Sequence, residues 1–509
     1  MTPREAQLEA KVQEQAQELA RLRQENILLR QKVDLLSRKI FGCSSEKLSP
    51  HQLQLLLELA VEESKAEAPA ELQLVMVLPR PHKERKARLP EHLPVVEEVI
   101  DPEPVKAQPE AWRCIGQEVT EQLDYEPARF LRRRLIRRTF VHRLDKDRAP
   151  ITAPLPPSLL ERGLAAPGLL AQVVVAKYAD HLPLYRQEHI FKQRHGVELS
   201  RQTLAGWIDL VADWLRPIYG HLREEVFAQG YVQIDETPVR YLAPGNGKTK
   251  QGYFWAANRP GGEVIYQWEI SRAAVCLDTL LPVDFKGIIQ CDGYSAYDTL
   301  ARRREGAITL ADCWAHVRRK FFEAKESAPR TAGWILRQIQ HLYRIEARLR
   351  EKRCSTKLRE VIRAQESQPV VQRLGRACTR LRQGGRHLPQ GPLGQALTYT
   401  LNQWAGLQIF LTDGRVEIDN NLVENAIRPT AVGKKNWLFI GEAAAGERSA
   451  ILFTIVENCR RQGINPFEYL RDVLTRLPKL TNWQTHTLTP AAWASEQAQF
   501  QQHALKLAS

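Results

Sequence analysis

Hydrophobic and polar positions along this chain change period several times. Between residues 8 and 40, Leu8, Val12, Gln15, Leu19, Leu22, Asn26, Leu29, Val33, Leu36 and Ile40 recur at alternating spacings of four and three, an a/d heptad with two polar entries. Leu at d and β-branched residues at most a positions favour a parallel two-stranded coil, and Asn26 at an a position fixes register at some cost in stability. A single amphipathic helix packed on its own chain would show the same stripe. Five continuous heptads favour the coil, with Leu22, Asn26, Leu29, Val33 and Leu36 in its dimerisation seam.

Residues 42 to 110 lose the period. "EESKAEAPAELQ", "PRPHKERKARLPEHLP" and "DPEPVKAQPE" are rich in Pro, Glu and Lys and read as a connector with little core. "ARFLRRRLIRRTFVHR" (128–143) alternates Arg with apolar residues, which predicts a basic strand or two with one apolar face. The other face suits phosphates, with Arg132 and Arg133 as candidate DNA contacts; a charge-protected edge strand reads the same way. From 155 to 228 the spacing turns helical. A helix, a break at Gly196 and Ser200 as N-cap before Leu204, Trp207 and Ile208 fit a helix-turn-helix. Its recognition helix would be "SRQTLAGW", with Arg201 reaching DNA, although plain helical hairpins share the pattern.

After 230 the period falls to that of strands. "YVQIDETPVRYL", "GYFWAANR", "EVIYQWEIS" and "GIIQCDGYSAY" are short β-branched or aromatic runs, with "AAVCLDTLL" as a helix before the fourth. Three strands, a helix and a buried strand predict a mixed α/β sheet. A long Arg-rich helical stretch follows, roughly 314–408, and then "DGRVEIDNNLVENAIRPTAVGKKNWLF" (413–439). Leu422, Ala426 and Ile427 give that segment a helical stripe, yet Asp419, Asn420, Asn421, Glu424 and Asn425 crowd two turns with short polar groups of poor helix propensity.

Composition narrows the reading. The 509 residues are 43% hydrophobic and carry a formal net charge of +14, which favours folding and polyanionic partners, nucleic acid first. No run approaches the ~18 apolar residues of a membrane span, and the N-terminus has no secretory apolar core. Eight scattered cysteines include no Cys-x-x-Cys pair, so a reducing cytosol is expected and no zinc site is.

Two acids stand out. Asp235 ends the apolar run Val232–Gln233–Ile234 and Asp292 ends Ile288–Ile289–Gln290–Cys291, each placed where a strand meets loops. A lone acid there is often a turn former; two, with Glu424 in a polar helix, suggest a hard-oxygen site for Mg²⁺ or Mn²⁺. Two such ions ~4 Å apart activate a water or 3′-hydroxyl against a phosphodiester. Arg428, Lys434 and Lys435 could hold the DNA backbone, and Trp437 could stack on a base or simply pack in a core.

At these residues the chain resembles the large transposases of the insertion sequence 66 family, in the broader DDE group. The resemblance covers about residues 20 to 475 and rests on "IFGCSSEKL", "APLPPSLLERGLAAPGLLAQVVVAKYADHLPLYRQ", "SRQTLAGW", "IDETPVRYL", "CDGYSAY", "CWAHVRRKFFEA" and "DNNLVENAIRPTAVGKKNWLFIGEAAAGERSA", in that order. It implies an RNase H-like core split by a helical insertion, the metal-binding triad Asp235, Asp292 and Glu424, and recognition of terminal inverted repeats. It further implies hydrolysis at the element ends and attack of the freed 3′-hydroxyl on target DNA. The family's cysteine-pair zinc module is here reduced to Cys114, so no zinc is expected there. His316 and Arg319 in "CWAHVRRKF" are read as lying beside the catalytic core, on DNA.

The expected fold is therefore multidomain α/β: a coiled coil (1–48), a linker (49–110), a degenerate zinc-finger-like basic module (111–150) and a helical DNA-binding region (151–228). An RNase H-like core (229–326 and 411–478) is split by an α-helical insertion (327–410), and a tail closes the chain (479–509). Expected partners are double-stranded DNA, as inverted repeats and target, a second or further copies of the chain, and small accessory transposition proteins; no membrane is expected. The place of action would be the bacterial cytoplasm, on the nucleoid when DNA-bound. A non-catalytic DNA-binding dimer, such as an inactive copy, and an RNase H-like nuclease are the alternatives.

Overall fold

A computed structural model describes residues 93–508, apart from 127–128, 145–146, 148, 161–162, 244–247 and 386. The heptad segment, with Leu22, Asn26, Leu29, Val33 and Leu36, lies outside the described residues. The rest is a mixed α/β protein in two compact units. One comprises Ala87–Ala315, Leu349–Ala364 and Ala405–Ser509; the other includes His316–Arg348 and Gln365–Trp404.

The first unit holds two sheets. In the smaller, β3 (Arg129–His142) lies between β1 (Val95–Ile100), which runs parallel to it, and β2 (Trp112–Glu126), which runs antiparallel; β4 (Ile151–Thr152) extends the β1 side. The expected connector therefore carries structure at its end, where β1 and a short helix Glu103–Ala107 form. Nearly all of β1 is exposed, which is why its sequence looked like a linker; backbone pairing with β3 and ion pairs across it hold the strand in place. The buried apolar residues of β3 do not share one face, contrary to the sequence expectation: Phe130, Ile136 and Phe140 alternate to one side and Leu131 and Leu135 to the other.

Three helices follow: α1 (Pro167–Tyr178), α2 (Leu184–His195) and α3 (Arg201–Phe227). Gly196 closes α2 in the left-handed conformation (φ 65°), and the Ser200 hydroxyl accepts the Thr203 N–H at 3.2 Å to cap α3. The α3 stripe Leu204, Ile208, Val211, Leu215, Ile218 and Leu222 is buried over about five turns, so "SRQTLAGW" is the start of a long core helix, with Arg201, Gln202 and Thr203 exposed.

The larger sheet has the order β7–β6–β5–β8–β9. Its strands are β5 (Tyr231–Leu242), β6 (Thr249–Asn258), β7 (Val264–Glu269), β8 (Gly287–Cys291) and β9 (Ile308–Asp312). The first three are antiparallel, while β8 and β9 add in parallel. The helix between β7 and β8 is α4 (Val275–Leu280), and α5 (Ser295–Arg303) leads into β9. Strand β9 was not expected. "ITLAD" is too short and unpatterned to separate from the helical stretch beside it, and its pairing with β8 defines it. At the other edge, a helix named below as α12 covers β7: Thr454 accepts the Tyr266 N–H at 2.9 Å, and Asn458 bonds both the N–H and the C=O of Val264.

The second unit is helical. It takes in most of α6 (Trp314–Glu323) and α7 (Pro329–Glu351), while α8 (Thr356–Ile362) belongs to the first unit. Helices α9 (Gln368–Gln383) and α10 (Pro392–Asn402) pack on one another, and Gly375 lies so close to Trp404 that an added Cβ would sit 2.5 Å from the ring. The first unit also contains the short helix Ile409–Thr412, α11 (Asn421–Trp437), the two-residue β10 (Phe439–Ile440), α12 (Ala443–Arg461), α13 (Pro466–Arg476) and a further helix, Pro490–Ala508. Among the described residues no helix is long and apolar enough to cross a membrane.

Candidate active site

Asp235 is not at a strand end, contrary to the sequence expectation. It sits within the twelve-residue β5, which continues through Glu236–Thr237–Pro238 because β6 pairs with it all the way to Leu242. The parallel side behaves differently. β8 pairs with β5 only as far as Gln233, and β10 rejoins that edge only at Arg240. Asp235 thus faces a gap in the ladder among the described strands, and Asp292, the first residue beyond β8, lies at the end of the strand that stops short.

Cross-strand register shows what covers this face. Asp235 pairs with Ala256, and Ala256 with Tyr266, so all three share one side of the sheet. The Tyr266 hydroxyl donates to the backbone carbonyl of Ala426, which lays α11 over that side and brings its first turn, with Glu424, toward Asp235.

Buried amides fix where α11 begins. Tyr231, Gln233 and Asp235 alternate on the covered face of β5. Gln233 Nε2 donates to Gln290 Oε1 (2.8 Å) and to the carbonyl of Asp419 (2.9 Å), and Asn258 Nδ2 donates to Gln233 Oε1 (3.2 Å). Gln290 Nε2 donates to the carbonyl of Glu417 (2.7 Å), while the Tyr231 hydroxyl accepts the Glu417 N–H (3.0 Å). Both glutamines are fully buried, so these bonds form in a dry setting and tie residues 417–419 to β5 and β8. Asp419 then accepts the Asn421 N–H (3.2 Å) and the Asn421 amide (2.9 Å), an Asx turn that leads the chain into the helix just ahead of its N-cap, Asn420. Asn421 is thereby engaged with Asp419. Asn420 is fully buried, and its amide makes no hydrogen bond to protein.

The electrostatics follow from burial. Loss of water pushes the Asp235 carboxyl up to about 8, and the negative charges of Glu236, Asp292 and Glu424 add to the shift. The charges of Asp292 and Glu424 thus both reach the Asp235 carboxyl. A further acid, Asp312, closes β9 beside Cys291; burial raises it to about 7, with Asp298 and Asp292 contributing. Among the described residues, no three His, Cys, Asp or Glu side chains are gathered tightly enough to ligate one ion as they stand. The donor set of Asp235, Asp292 and Glu424 nevertheless suits a hard divalent cation: all are oxygen donors, and their mutual repulsion is what a cation would relieve.

The expected DNA contacts divide. Arg428 and Lys435 are exposed on α11. The Lys434 ammonium is turned onto β5, donating to the Pro238 carbonyl at 3.0 Å and Thr237 Oγ1 at 3.3 Å, and burial lowers its pKa. Trp437 packs half-buried against the core, as the packing alternative has it. Arg132 pairs with Glu121 (3.1 Å) and Arg133 with Glu98 (2.7 Å), so part of the charge on β3 is met by its neighbouring strands. His316, half-buried, and Arg319, exposed, lie on the part of α6 that belongs to the helical unit. Cys114 is an exposed thiol at a bulge in β2, and His142 packs edge-on to Trp112. Gln233, Gln290, Glu236 and Asp312 went unread as site residues. The period-two row of polar ends at 231, 233 and 235 was the one signal in the sequence for the first.

Comparison with known proteins identifies the family. The sequence model described as Transposase IS66 family matches residues 162–448. Flanking matches are to Transposase C of IS166 homeodomain over residues 28–97 and to the IS66 C-terminal element over residues 454–491. Three relatives come from Sinorhizobium fredii. Uncharacterized protein y4qI is 36% identical over 414 residues, covering 78% of this chain and 75% of the relative. Uncharacterized protein y4jD is 35% identical over 426 residues, covering 80% and 82%. Uncharacterized protein y4hP is 29% identical over 507 residues, covering 92% and 89%. With one family model spanning more than half of its length and two others flanking it, the chain belongs to the IS66 transposase family.

Proposed function

We propose that this transposase cleaves DNA at the terminal inverted repeats of its element and joins the freed ends to target DNA, with Asp235, Asp292 and Glu424 as the catalytic carboxylates. The observation that carries the reading is the shared field of those three acids: Asp292 and Glu424, from a strand end and a helix, both act on the buried carboxyl of Asp235. Three antiparallel strands followed by two parallel ones support an RNase H-like core. The helical unit between the second and third acids supports an insertion within it.

The three carboxylates would hold Mg²⁺ or Mn²⁺, two ions in the full site. A bound divalent ion supplies Lewis acidity at the scissile phosphate and lowers the pKa of the attacking oxygen. The chain's own groups orient the DNA and remove water. Arg428 and Lys435 meet backbone phosphates along α11, Lys434 props α11 on β5, and the buried glutamine ladder keeps Glu424 in register with Asp235. In the first step a water oxygen bonds to phosphorus and the P–O3′ bond breaks, leaving a 3′-hydroxyl and a 5′-phosphate. In the second step that 3′-hydroxyl attacks a target phosphodiester and releases a target 3′-hydroxyl.

The modules ahead of the core would bind the element ends: the basic sheet through Arg132 and Arg133, exchanging their glutamate partners for phosphates, the α2–α3 hairpin through Arg201, and the N-terminal heptads by pairing two copies. His316 and Arg319 would contact DNA from the helical insertion. Its place of action would be the bacterial cytoplasm, on the nucleoid when DNA-bound. The test is incubation of the full chain with a labelled duplex carrying its element's end and Mg²⁺, scoring nicking and joining together. Binding without cleavage points to an inactive DNA-binding copy, and cleavage without joining to a nuclease.

A further inference from the structure

Glu236 lies on the opposite side of β5 from Asp235, as strand alternation requires. Its side chain is only 1% exposed, yet it ends in a carboxyl group. Each of its oxygens is occupied. Arg272, from the segment after β7, donates Nε to Oε1 at 2.6 Å, and the Tyr297 hydroxyl, on α5, donates to Oε2 at 3.1 Å. The Arg272 guanidinium lies 3.8 Å from the centre of the Tyr294 ring, and the Tyr294 hydroxyl donates back to the Arg272 carbonyl at 3.2 Å. Tyr294 in turn donates its backbone N–H to Asp292 Oδ1 at 3.0 Å. Trp255, the β6 partner of Glu236, closes the far side edge-on against Tyr297. The chain of contacts thus runs from the residue after Asp235 to the carboxylate of Asp292, through β5, the post-β7 segment and the start of α5.

With Glu236 buried and Arg272 40% exposed, this ion pair is a poor choice if stability is all that is wanted, since desolvating the carboxylate offsets much of the attraction. What it adds is direction: a planar fork on one carboxylate oxygen, a hydroxyl on the other and a ring beneath the guanidinium admit one arrangement. From this geometry we infer that Glu236, Arg272, Tyr294 and Tyr297 form a positioning clamp that sets the Asp292 loop relative to Asp235, so that the two carboxylates share one divalent ion. The inference rests on the proposed metal-binding role of Asp235 and Asp292. None of the four clamp residues touches substrate in it; they act through the two acids.

The test uses Mn²⁺ alone and the full chain, with the dissociation constant read from free Mn²⁺ by electron paramagnetic resonance and folding followed by thermal midpoint. Five proteins are compared: wild type, D235N, R272A, R272K and Y297F, the last preserving the ring that packs on Trp255 while removing one hydrogen bond. D235N is expected to lose tight binding. R272A is expected to weaken Mn²⁺ binding by about 10–100-fold, and Y297F by about tenfold, the range seen when groups that orient metal ligands are removed. R272K, which restores charge without the fork, is expected to recover only part. If D235N loses Mn²⁺ while R272A and Y297F stay within about twofold of wild type, the clamp is only structural and the inference falls, while the metal-site reading stands. If D235N binds Mn²⁺ like wild type, the metal-site reading falls and the clamp with it. Should R272A fail to fold, Y297F alone decides in the same terms.

Discussion

Replacing Gln233 with Leu is the most direct probe of how the site is built, because the volume is nearly kept and only polar atoms are lost. Gln233 is fully buried and its amide serves four partners: Gln290, the Asp419 carbonyl, Asn258 and, at 3.4 Å, the Tyr231 hydroxyl. In Q233L, Gln290 Oε1 keeps the Tyr231 hydroxyl at 2.8 Å. The Asp419 carbonyl and Asn258 Nδ2 are left without the partner they had, in a region closed to water. Each buried orphan costs about 1–3 kcal/mol, so the pair predicts about 2–6 kcal/mol of destabilisation. The loss should also be local. Asp419 bonds the first residue of α11, so the helix start carrying Glu424 should loosen before the β2–β3 ribbon does. Urea unfolding gives the total, and amide exchange of peptides spanning 417–424 and 112–142 gives the distribution. A change within about 0.5 kcal/mol, the range of an ordinary surface substitution, or equal loosening in both peptides, would refute the ladder as the device that registers Glu424 with Asp235.

Further outcomes follow from charge and period. With Asp235 raised to about 8, metal binding at neutral pH must displace its proton, so Mn²⁺ affinity should climb with pH between 6 and 8, by up to about tenfold per unit, and level off above; a flat profile over that window contradicts the assignment. The same shift, with Asp312 raised to about 7, has a stability sign: the acid form is favoured by folding, so this contribution is complete below the unfolded carboxylate range and is lost as pH rises through about 7 to 8. The ion-free chain should therefore lower its thermal midpoint from pH 6 to 8.5 and regain it with Mn²⁺; a midpoint rising over that span would contradict the burial of these acids. Removing residues 1–41 should reduce the oligomer measured by light scattering and the pairing of two element ends, and an unchanged mass would remove the coil from the proposal.

What was legible in the sequence depended on how local its cause was. The turn between α2 and α3 was readable because Gly196 and Ser200 act on their own backbone neighbours. Strands β5 to β8 were readable from short β-branched runs bounded by turn residues. Asp235, Asp292 and Glu424 were singled out by position, but their mutual field depends on a register between β5, β8 and α11 that no local pattern carries. The glutamine ladder was missed for the same reason: Gln233 meets Asp419 across 186 residues, and in the strand it looks like an interruption of an apolar run. β9 was missed because five residues without alternation give no period, and β1 because a strand exposed on both faces has the composition of a linker. Arg132 and Arg133 read as open positive charge, yet their acidic partners lie on β2 and β1, eleven and thirty-five residues away.

The central claim is that one carboxylate set performs both cutting and joining. It is tested by incubating wild type, D235N and E424Q with a labelled duplex carrying the element's end, a supercoiled target and Mg²⁺. Wild type should nick at the 3′ end of the element and join that end to the target. D235N and E424Q, with thermal midpoints and end binding retained, should do neither. Cleavage or joining at wild-type level in either variant would contradict the assignment.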